Sequence, residues 1–230
     1  MLVRLLCAAL IASGSSALGQ DLIGSTFPSG GLSTIVVINP ATGATRPYMT
    51  VPVPSGFQLY QIGGMPDCRL AGTIYRGDTS TNAARLCIID GAAGTSTIRT
   101  FTSPLDNSYA EGLDWSPRHN ALLVSFTQFG SFGTTRLALV NPDGVVQATT
   151  NALSGADDFD TILSSPTQDI FFNLNHTTSN RVLQLTALFP NPAVAGYATP
   201  PSLASWYDGT IHPTTGEILF SDSEDRKSVV

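Results

Sequence analysis

Three features of this 230-residue sequence predict an all-β fold. Short apolar runs alternate with turns that contain proline, glycine or an Asx residue, and none of the runs shows helical periodicity. The whole pattern recurs about every fifty residues. Only 12% of the residues are charged, whereas 21 are glycine and 15 are proline, which favours many short strands joined by tight turns.

The first two strands of each repeat form a hairpin around a proline. In each of four segments an apolar run, a turn and a second apolar run follow one another, which predicts two antiparallel strands. The segments are 61–75, 112–126, 161–174 and 208–222. Their turns contain Pro66, Pro117, Pro166 and Pro213, which are 51, 49 and 47 residues apart.

The third and fourth strands recur at the same interval. Three apolar strands stop at Asn39, Asp90 and Asn141, which are 51 and 51 residues apart. A turn with glycine follows each of them, because a short Asx side chain can bond its own backbone and glycine supplies the positive φ that such turns need. The short strands that come next are 45–51, 96–101 and 145–150.

Four antiparallel strands in each repeat of about fifty residues are typical of the blade of a β-propeller. We expect boundaries between blades near residues 53, 104, 152 and 201. The innermost strand of a blade crowds the central axis, so it should carry small residues, here Gly63, Gly64, Gly112 and Gly209. A β-sandwich is the alternative, although a sandwich would not require four strands in every repeat.

The count of strands predicts an open arc of four to five blades. Residues 21–27 align with a second strand and have no first strand before them, and the last unit, 205–222, has only its first and second strands. A ring of six or seven blades needs roughly 300 or 350 residues. We therefore expect further sequence after residue 224, which closes the ring and supplies the first strand of the first blade.

Residues 1–19 have the layout of a secretory signal peptide. Arg4 precedes the apolar run 5–12, and Ala17 and Gly19 suit the last positions before a cleavage site at Gln20. The run is shorter than the roughly 20 residues that a membrane span needs. The sequence therefore predicts a secreted or periplasmic protein without membrane insertion, and a buried N-terminal helix is the alternative.

The six residues 225–230 read Asp-Arg-Lys-Ser-Val-Val. This hexapeptide is the translation of the start of a common sequencing adapter, and it contains Lys227, the only lysine of the chain. We interpret 225–230 as an adapter-derived tail, which makes residues 20–224 a partial propeller domain. A natural polar tail is the alternative.

The charge pattern excludes several functions. The chain has 11 basic and 17 acidic residues, a formal net charge of −6, and its arginines are scattered singly. A nucleic-acid-binding surface needs clustered Lys and Arg, so nucleic acid is not an expected partner. Lysine Schiff-base chemistry is excluded because Lys227 lies close to the end of the chain. The sequence also has neither a P-loop motif nor a nucleophile elbow.

Two segments carry a resemblance to known propellers. Residues 111–117, followed by Ala-Leu-Leu-Val at 121–124, and residues 211–222 resemble blades of the lactonase (gluconolactonase-like), strictosidine-synthase, NHL and YVTN-like propeller group. The strand end 37–43, Val-Ile-Asn-Pro-Ala-Thr-Gly, is similar to the Ile-Asp-Pro-x-Thr-Gly turns of that group. The resemblance covers nearly all of the mature chain and implies a propeller whose ligand lies at the axial face.

Acidic residues of the first strands form the candidate site. Alignment of the repeats on their prolines places four residues at one level near the axis: Tyr60, Glu111, Asp160 and Tyr207. Carboxylates that converge on an axis suit Ca²⁺ or Mg²⁺, the only cofactors we expect. The resemblance implies that Glu111, which precedes Gly112, is a metal ligand. Asp160 and Asp208 are further candidates, although they differ by one in register, and solvated loop acids are the alternative.

Two cysteines, Cys68 and Cys87, belong to the predicted mature chain. If Tyr75 pairs near Ala84, Cys87 lies opposite Gly72. Cys68 is then four residues away along the strand, roughly 13 Å, which is too far for a disulfide unless a bulge intervenes. Both a free core thiol at Cys87 and a disulfide remain open.

Two functions from different classes follow from these features. The first is an exported, non-catalytic binding or scaffold module that takes a protein, glycan or small-molecule ligand at its axial face and is monomeric when full length. The second is a metal-dependent, lactonase-like hydrolase in which Glu111 binds the metal. A quinoprotein dehydrogenase is disfavoured, because Trp115 and Trp206 stand alone rather than in repeated tryptophan motifs.

Overall fold

The computed structural model describes the larger part of the chain. The described residues are 22–26, 32–39, 42–75, 83–106, 108–128, 134–151, 153–154, 159–164, 170–175, 181–186, 191, 194–198, 206–211, 218–222 and 228–229. From residue 153 onward, side chains are described only at 161–164, 191 and 209–211. The predicted signal peptide, 1–19, lies outside the described residues.

The described strands form five antiparallel sheets, which follow one another along the chain and are here called blades 1 to 5. Blade 1 contains β1 (Leu22–Thr26), β2 (Leu32–Ile38) and β3 (Thr45–Pro52). Blade 2 contains β4 (Gln58–Gly64), β5 (Leu70–Tyr75), β6 (Ala83–Asp90) and β7 (Thr95–Thr102). Blade 3 contains β8 (Ser108–Ser116), β9 (Ala121–Gln128), β10 (Thr134–Val140), β11 (Val146–Thr149) and β12 (Leu153–Ser154).

The last two blades complete the described part. Blade 4 contains β13 (Phe159–Ser164), β14 (Ile170–Asn175), β15 (Arg181–Thr186) and β16 (Val194–Ala198). Blade 5 contains β17 (Trp206–Ile211), β18 (Ile218–Asp222) and β19 (Ser228–Val229). No helix occurs among the described residues, so none there could cross a membrane. The prediction of an all-β fold built of four-stranded antiparallel blades is confirmed by blades 2 and 4.

Two details differ from the sequence analysis. The third blade does not end near residue 152, because β12 still pairs with its third strand, Thr134 with Ser154 and Thr135 with Leu153. Blade 5 has a third strand, since Val229 pairs with Leu219 and Ser228 with Phe220. An edge strand presents unpaired backbone groups that a short segment can satisfy, and a strand of two residues leaves no periodic signal in a sequence.

The hydrophobic core lies between successive blades. One cluster of buried side chains joins blades 1 and 2 and includes Ile35, Leu59 and Cys87. A second cluster joins blades 2 and 3, where the rings of Phe101 and Phe126 meet edge to face at a centroid distance of 5.9 Å. Blade 2 is therefore covered on both faces, as a propeller blade requires.

The first strands of successive blades, called inner strands below, approach closely at glycine. A Cβ atom on Gly63 would lie 2.8 Å from Leu113 Cδ2 of blade 3, and a Cβ atom on Gly112 would lie 2.8 Å from the backbone nitrogen of Ile162 in blade 4. These distances confirm that the inner strand needs small residues at both positions. Extensive packing links each blade to the next, and the described residues show no comparable packing between blades 1 and 5. The arc is open.

Candidate axial site

The four inner strands carry a β-bulge at equivalent positions. The pairing of β4 with β5 shifts between Leu59 and Ile62, and that of β8 with β9 shifts between Ala110 and Leu113. In blades 4 and 5 the shifts fall at 159–161 and 206–208. A bulge adds one residue on one strand, so each of blades 2 to 5 has an irregular point at the same level of the axis.

The residues that the proline alignment brought together lie at these bulges. They are Tyr60, Glu111, Asp160 and Tyr207. The next residue, Asp208, is paired again, with Ser221, which confirms that Asp160 and Asp208 differ by one in register. The structure describes the strand positions of Asp160 and Asp208 but not their side chains.

A hydroxyl group on the second strand supports the bulge in blades 2 and 3. The backbone N–H of Gln61 donates to Thr73 Oγ1 at 3.2 Å, and the backbone N–H of Gly112 donates to Ser125 Oγ at 2.7 Å. Both hydroxyl-bearing side chains are fully buried. Because a bulge takes a backbone donor out of the ladder, these hydroxyl acceptors replace the lost strand partner.

The same region joins blade 2 to blade 3. Thr73 Oγ1 donates to the backbone oxygen of Glu111 at 2.9 Å, and Gln61 Oε1 accepts from the backbone N–H of Leu113 at 2.6 Å. Gln61 itself is 2% exposed. Two buried hydrogen bonds therefore join the bulge of blade 2 to the bulge of blade 3.

The carboxylate of Glu111 is buried and bonded within its own blade. Glu111 is 4% exposed, and its Oε2 accepts a hydrogen bond of 2.8 Å from Thr127 Oγ1 on β9. Thr127 is also buried. A carboxylate in such a position needs hydrogen-bond donors, and the hydroxyl of Thr127 is one of them.

A second acid, Asp114, lies three residues further along β8 and was not predicted. Its Oδ2 accepts from the backbone N–H of Ser164 in blade 4 at 2.6 Å, and its Oδ1 accepts from the N–H of Trp115 at 2.8 Å. Burial raises the pKa of Asp114 to about 7, and the two backbone hydrogen bonds oppose that rise. Asp114 therefore joins blade 3 to blade 4.

The metal prediction stays a prediction. Among the side chains that the structure describes, no group of three or more His, Cys, Asp or Glu residues is gathered in a way that could hold a metal ion. The side chains of Asp160 and Asp208 are outside that set. Glu111 is described, and its Oε2 accepts a hydrogen bond from Thr127.

Cys68 and Cys87 are free thiols. Cys87 pairs with Gly72 across β6 and β5, as the sequence analysis expected, and it is buried. Burial raises the pKa of Cys87 to about 12, so its thiol is un-ionised and inert at neutral pH. Cys68 is exposed in the turn between β4 and β5, with a φ of 65°.

The hydroxyl residues that support the bulges, Thr73 and Ser125, were not predicted from the sequence, although the repeat contains a pattern that indicates them. The position opposite the bulge holds Thr73, Ser125 and Ser221 in blades 2, 3 and 5, and it holds Leu174 in blade 4. A hydroxyl at one fixed place on successive second strands would have indicated a repeated hydrogen bond. Alignment on the prolines alone did not separate it from the many other Ser and Thr residues.

Comparison with known proteins gives the fold. No protein-family model matches the chain, and no curated protein matches it either. The soluble aldose sugar dehydrogenase of Escherichia coli, in the apo form, matches with a TM-score of 0.55 and 12% identity over 99% of this chain and 95% of that one. A candidate 6-phosphogluconolactonase of Bacteroides fragilis matches with a TM-score of 0.54 and 14% identity over 90% of this chain.

A third similar structure is a Bacteroides caccae protein of unknown function, with a TM-score of 0.55 and 14% identity over 86% of this chain. The chain spans 67% of the length of that protein and 62% of the B. fragilis protein. Identities this low show the fold alone, which is a β-propeller.

Proposed function

We propose that this chain forms an exported, non-catalytic binding module whose axial end takes a glycan or a small sugar-derived ligand. The observation that carries the proposal is the repeated bulge. Four inner strands turn one residue each out of the regular ladder at the same level, and these residues are Tyr60, Glu111, Asp160 and Tyr207. Aromatic and acidic residue types at one level of the inner strands suit the ring faces and hydroxyl groups of a sugar.

The described carboxylates of β8 support binding over catalysis. Glu111 accepts from Thr127, and Asp114 accepts from two backbone N–H groups. The bond from Thr127 joins two strands and the bond from Ser164 joins two blades, whereas the bond from Trp115 is local to β8. A general base must instead reach the proton that it removes from a substrate.

The names of two similar structures support a sugar-type ligand. One is an aldose sugar dehydrogenase and the other a candidate 6-phosphogluconolactonase. Their low identity transfers no activity to this chain. Proteins of one fold can nevertheless accept ligands of the same chemical class.

The second candidate is a Ca²⁺- or Mg²⁺-dependent, lactonase-like hydrolase. It is favoured by the place of Glu111 at a bulge directly before Gly112, with Asp160 and Asp208 on the next two inner strands. Oxygen ligands of this kind fit the residues present. A bound cation would polarise a lactone carbonyl, and Glu111 with the two aspartates would hold it.

One set of measurements separates the two candidates. Purified mature protein is titrated calorimetrically with D-glucose, D-gluconate and D-glucono-1,5-lactone, and acid release from the lactone is followed with and without Ca²⁺. The binding module predicts saturable 1:1 binding of at least one sugar, with no acid release above the uncatalysed rate. Absence of any binding contradicts the proposal. Ca²⁺-dependent acid release that Glu111→Gln abolishes and Asp143→Asn, in an exposed turn, preserves would establish the hydrolase.

Export is a separate part of the proposal and has its own test. Expression from the full gene should yield a protein whose N-terminus, read by mass spectrometry, begins at or near Gln20. An intact Met1 on the native protein would contradict export.

A further inference from the structure

Two arginines occupy the same position of the repeat on the third strands of blades 2 and 3. In blade 2 the residue that pairs with Thr73 directly follows Arg85. In blade 3 the residue that pairs with Ser125 directly follows Arg136. The two arginines are 51 residues apart, which is the period of the repeat. Each therefore lies beside the hydroxyl that supports the bulge of its own blade.

Blade 4 has an arginine at the equivalent strand position. Leu174 takes the place of the supporting hydroxyl there, and the residue that pairs with Leu174 directly follows Arg181. The structure describes the strand position of Arg181 but not its side chain. Arginines that are scattered singly in the sequence thus fall at one repeated position of the fold in three successive blades.

Each described arginine lies against the linker through which the chain enters its own blade. The guanidinium of Arg136 donates through Nη1 to the backbone oxygen of Pro104 at 3.1 Å, and the guanidinium carbon of Arg85 lies 4.2 Å from the ring centroid of Phe57. Both arginines are half-buried. The inner strands begin soon after these linkers and bulge within their first residues, so the guanidinium groups lie at the same end of the blades as the bulges.

The two guanidinium groups lack an acidic partner. Within the described part of the chain, a carboxylate partner is found for Arg69 but not for Arg85 or Arg136. The Nε of Arg136 is a buried donor that meets no acceptor there. A buried donor without an acceptor is costly and usually marks a missing partner. Because a carboxylate binds the planar guanidinium through two parallel N–H···O bonds, it is the partner that such a group fits best.

The spacing of the arginines favours one kind of anion. Packed sheets lie about 10 Å apart, so one guanidinium in each blade presents charges that are separated on that scale. Nucleic acid requires clustered basic residues, and the net charge of −6 opposes the approach of a densely charged polymer. An oligosaccharide with one carboxylate on each sugar unit carries well-separated single charges.

We propose that Arg85 and Arg136 bind carboxylates of an acidic oligosaccharide that lies across the bulge-bearing end of blades 2 and 3. This inference rests on the proposed function and names the class of glycan, which is a uronate-containing chain. The third strand is two strands away from the inner strand, roughly 10 Å at about 4.8 Å for each strand. A ligand at the bulges therefore reaches the arginines only if it is longer than one sugar unit.

A matched pair of oligosaccharides tests the inference. The probes are a β-1,4-linked glucuronate tetramer and the β-1,4-linked glucose tetramer, which differ only in a carboxylate or a hydroxymethyl group on each unit. Their affinities for protein of residues 20–230 are measured by calorimetry. We expect the glucuronate tetramer to bind about tenfold more tightly at low salt, and the difference to shrink as NaCl is added.

Variants of the chain locate the carboxylate site. Arg85→Gln and Arg136→Gln should each weaken binding of the glucuronate tetramer about 5–10-fold and leave the glucose tetramer unchanged. Arg99→Gln, at an exposed position on the outer strand β7, is the matched control and should change neither affinity. Arg85→Lys and Arg136→Lys keep the charge without the planar fork, so their affinities should lie between wild type and the glutamine variants. Thermal denaturation checks that each variant is folded.

The outcomes separate this inference from the proposed function. Equal affinity for the two tetramers, or an equal effect of Arg99→Gln and Arg136→Gln, would overturn the carboxylate site while binding of the glucose tetramer upheld the proposed function. If neither tetramer binds and glucose, gluconate and gluconolactone also fail to bind, the proposed function itself is wrong.

Discussion

Thr73 Oγ1 lies 2.9 Å from the backbone oxygen of Glu111, which is 38 residues further along the chain and in the next blade. The same hydroxyl accepts the N–H of Gln61 in its own blade. One buried oxygen atom therefore links the bulges of two inner strands. The axial level at which a ligand is proposed to bind is held together by this side chain.

Replacement of Thr73 by valine should destabilise the protein. Thr73→Val keeps the shape of the side chain, removes the acceptor of the Gln61 N–H and removes the donor to Glu111. We expect the free energy of unfolding to fall by about 1–3 kcal/mol, because buried backbone groups lose partners. Urea denaturation measures the change.

Thr97→Val, at an exposed position on the outer strand β7, is the matched control and should change stability by less than about 0.5 kcal/mol. Equal effects of the two substitutions would show that the hydroxyl of Thr73 does not join the blades.

Gly112 should tolerate a methyl group less well than Gly63. A Cβ atom on Gly112 meets the backbone nitrogen of Ile162, whereas a Cβ atom on Gly63 meets the end of the Leu113 side chain, which can move. We expect Gly112→Ala to cost about 1–3 kcal/mol and Gly63→Ala clearly less. Thermal denaturation of the two variants gives the order, and the reverse order would contradict the described contact between blades 3 and 4.

The two cysteines should differ in reactivity. Cys68 is exposed and Cys87 is buried with its pKa raised to about 12. A thiol reagent at pH 8 should therefore modify one cysteine in folded protein of residues 20–230 and two in denaturant. Cys68→Ser should leave no reactive thiol until the protein unfolds. A count of zero in wild-type denatured protein would reveal a disulfide.

Asp114 should make stability depend on pH. Its pKa is about 7 in the folded protein and about 3.9 in the unfolded chain, so the folded state holds the proton more tightly. Stability from this group is therefore complete below about pH 4 and is lost as the pH rises towards 7. Asp114→Asn should make stability depend less on pH over this range. The urea midpoint, measured at several pH values between 4 and 8, gives the dependence for both proteins.

Asp67 provides the comparison of opposite sign. The guanidinium of Arg69 stays protonated throughout this pH range. Its hydrogen bond to Asp67 lowers the pKa of that carboxyl. Its contribution is present above the unfolded pKa and is lost as the pH falls below it. Asp67→Asn should therefore leave the profile between pH 5 and pH 8 unchanged, and a change there would show that the slope does not belong to Asp114.

The repeat allowed most of the fold to be predicted, because its signals are local. A proline hairpin and an Asx turn each lie within a few residues, so the spacing of Pro66 and Pro117, or of Asn39 and Asp90, reports the blades directly. The two-residue strands β12 and β19 were not predicted, since two residues are too few to show an alternation of apolar and polar side chains. Alignment of the repeats on their prolines also placed Glu111 at the same level as Tyr60, where the structure has the bulges of β8 and β4.

The contacts of the site could not be predicted, because they join distant parts of the chain. Asp114 and Ser164 are 50 residues apart, and Gln61 and Leu113 are 52 apart. The bulges themselves depend on the pairing of each inner strand with its neighbour. No sequence pattern within β8 indicates that the pairing shifts between Ala110 and Leu113.

Amide hydrogen exchange with and without a bound sugar tests the axial site most directly. Protein of residues 20–230 is saturated with whichever of glucose, gluconate or gluconolactone binds in the calorimeter, and exchange is read by mass spectrometry. The account predicts slower exchange in the inner-strand peptides 58–64 and 108–116, and no change in the outer-strand peptides 45–52 and 95–102. Protection confined to the outer strands, with the inner strands unaffected, would contradict it.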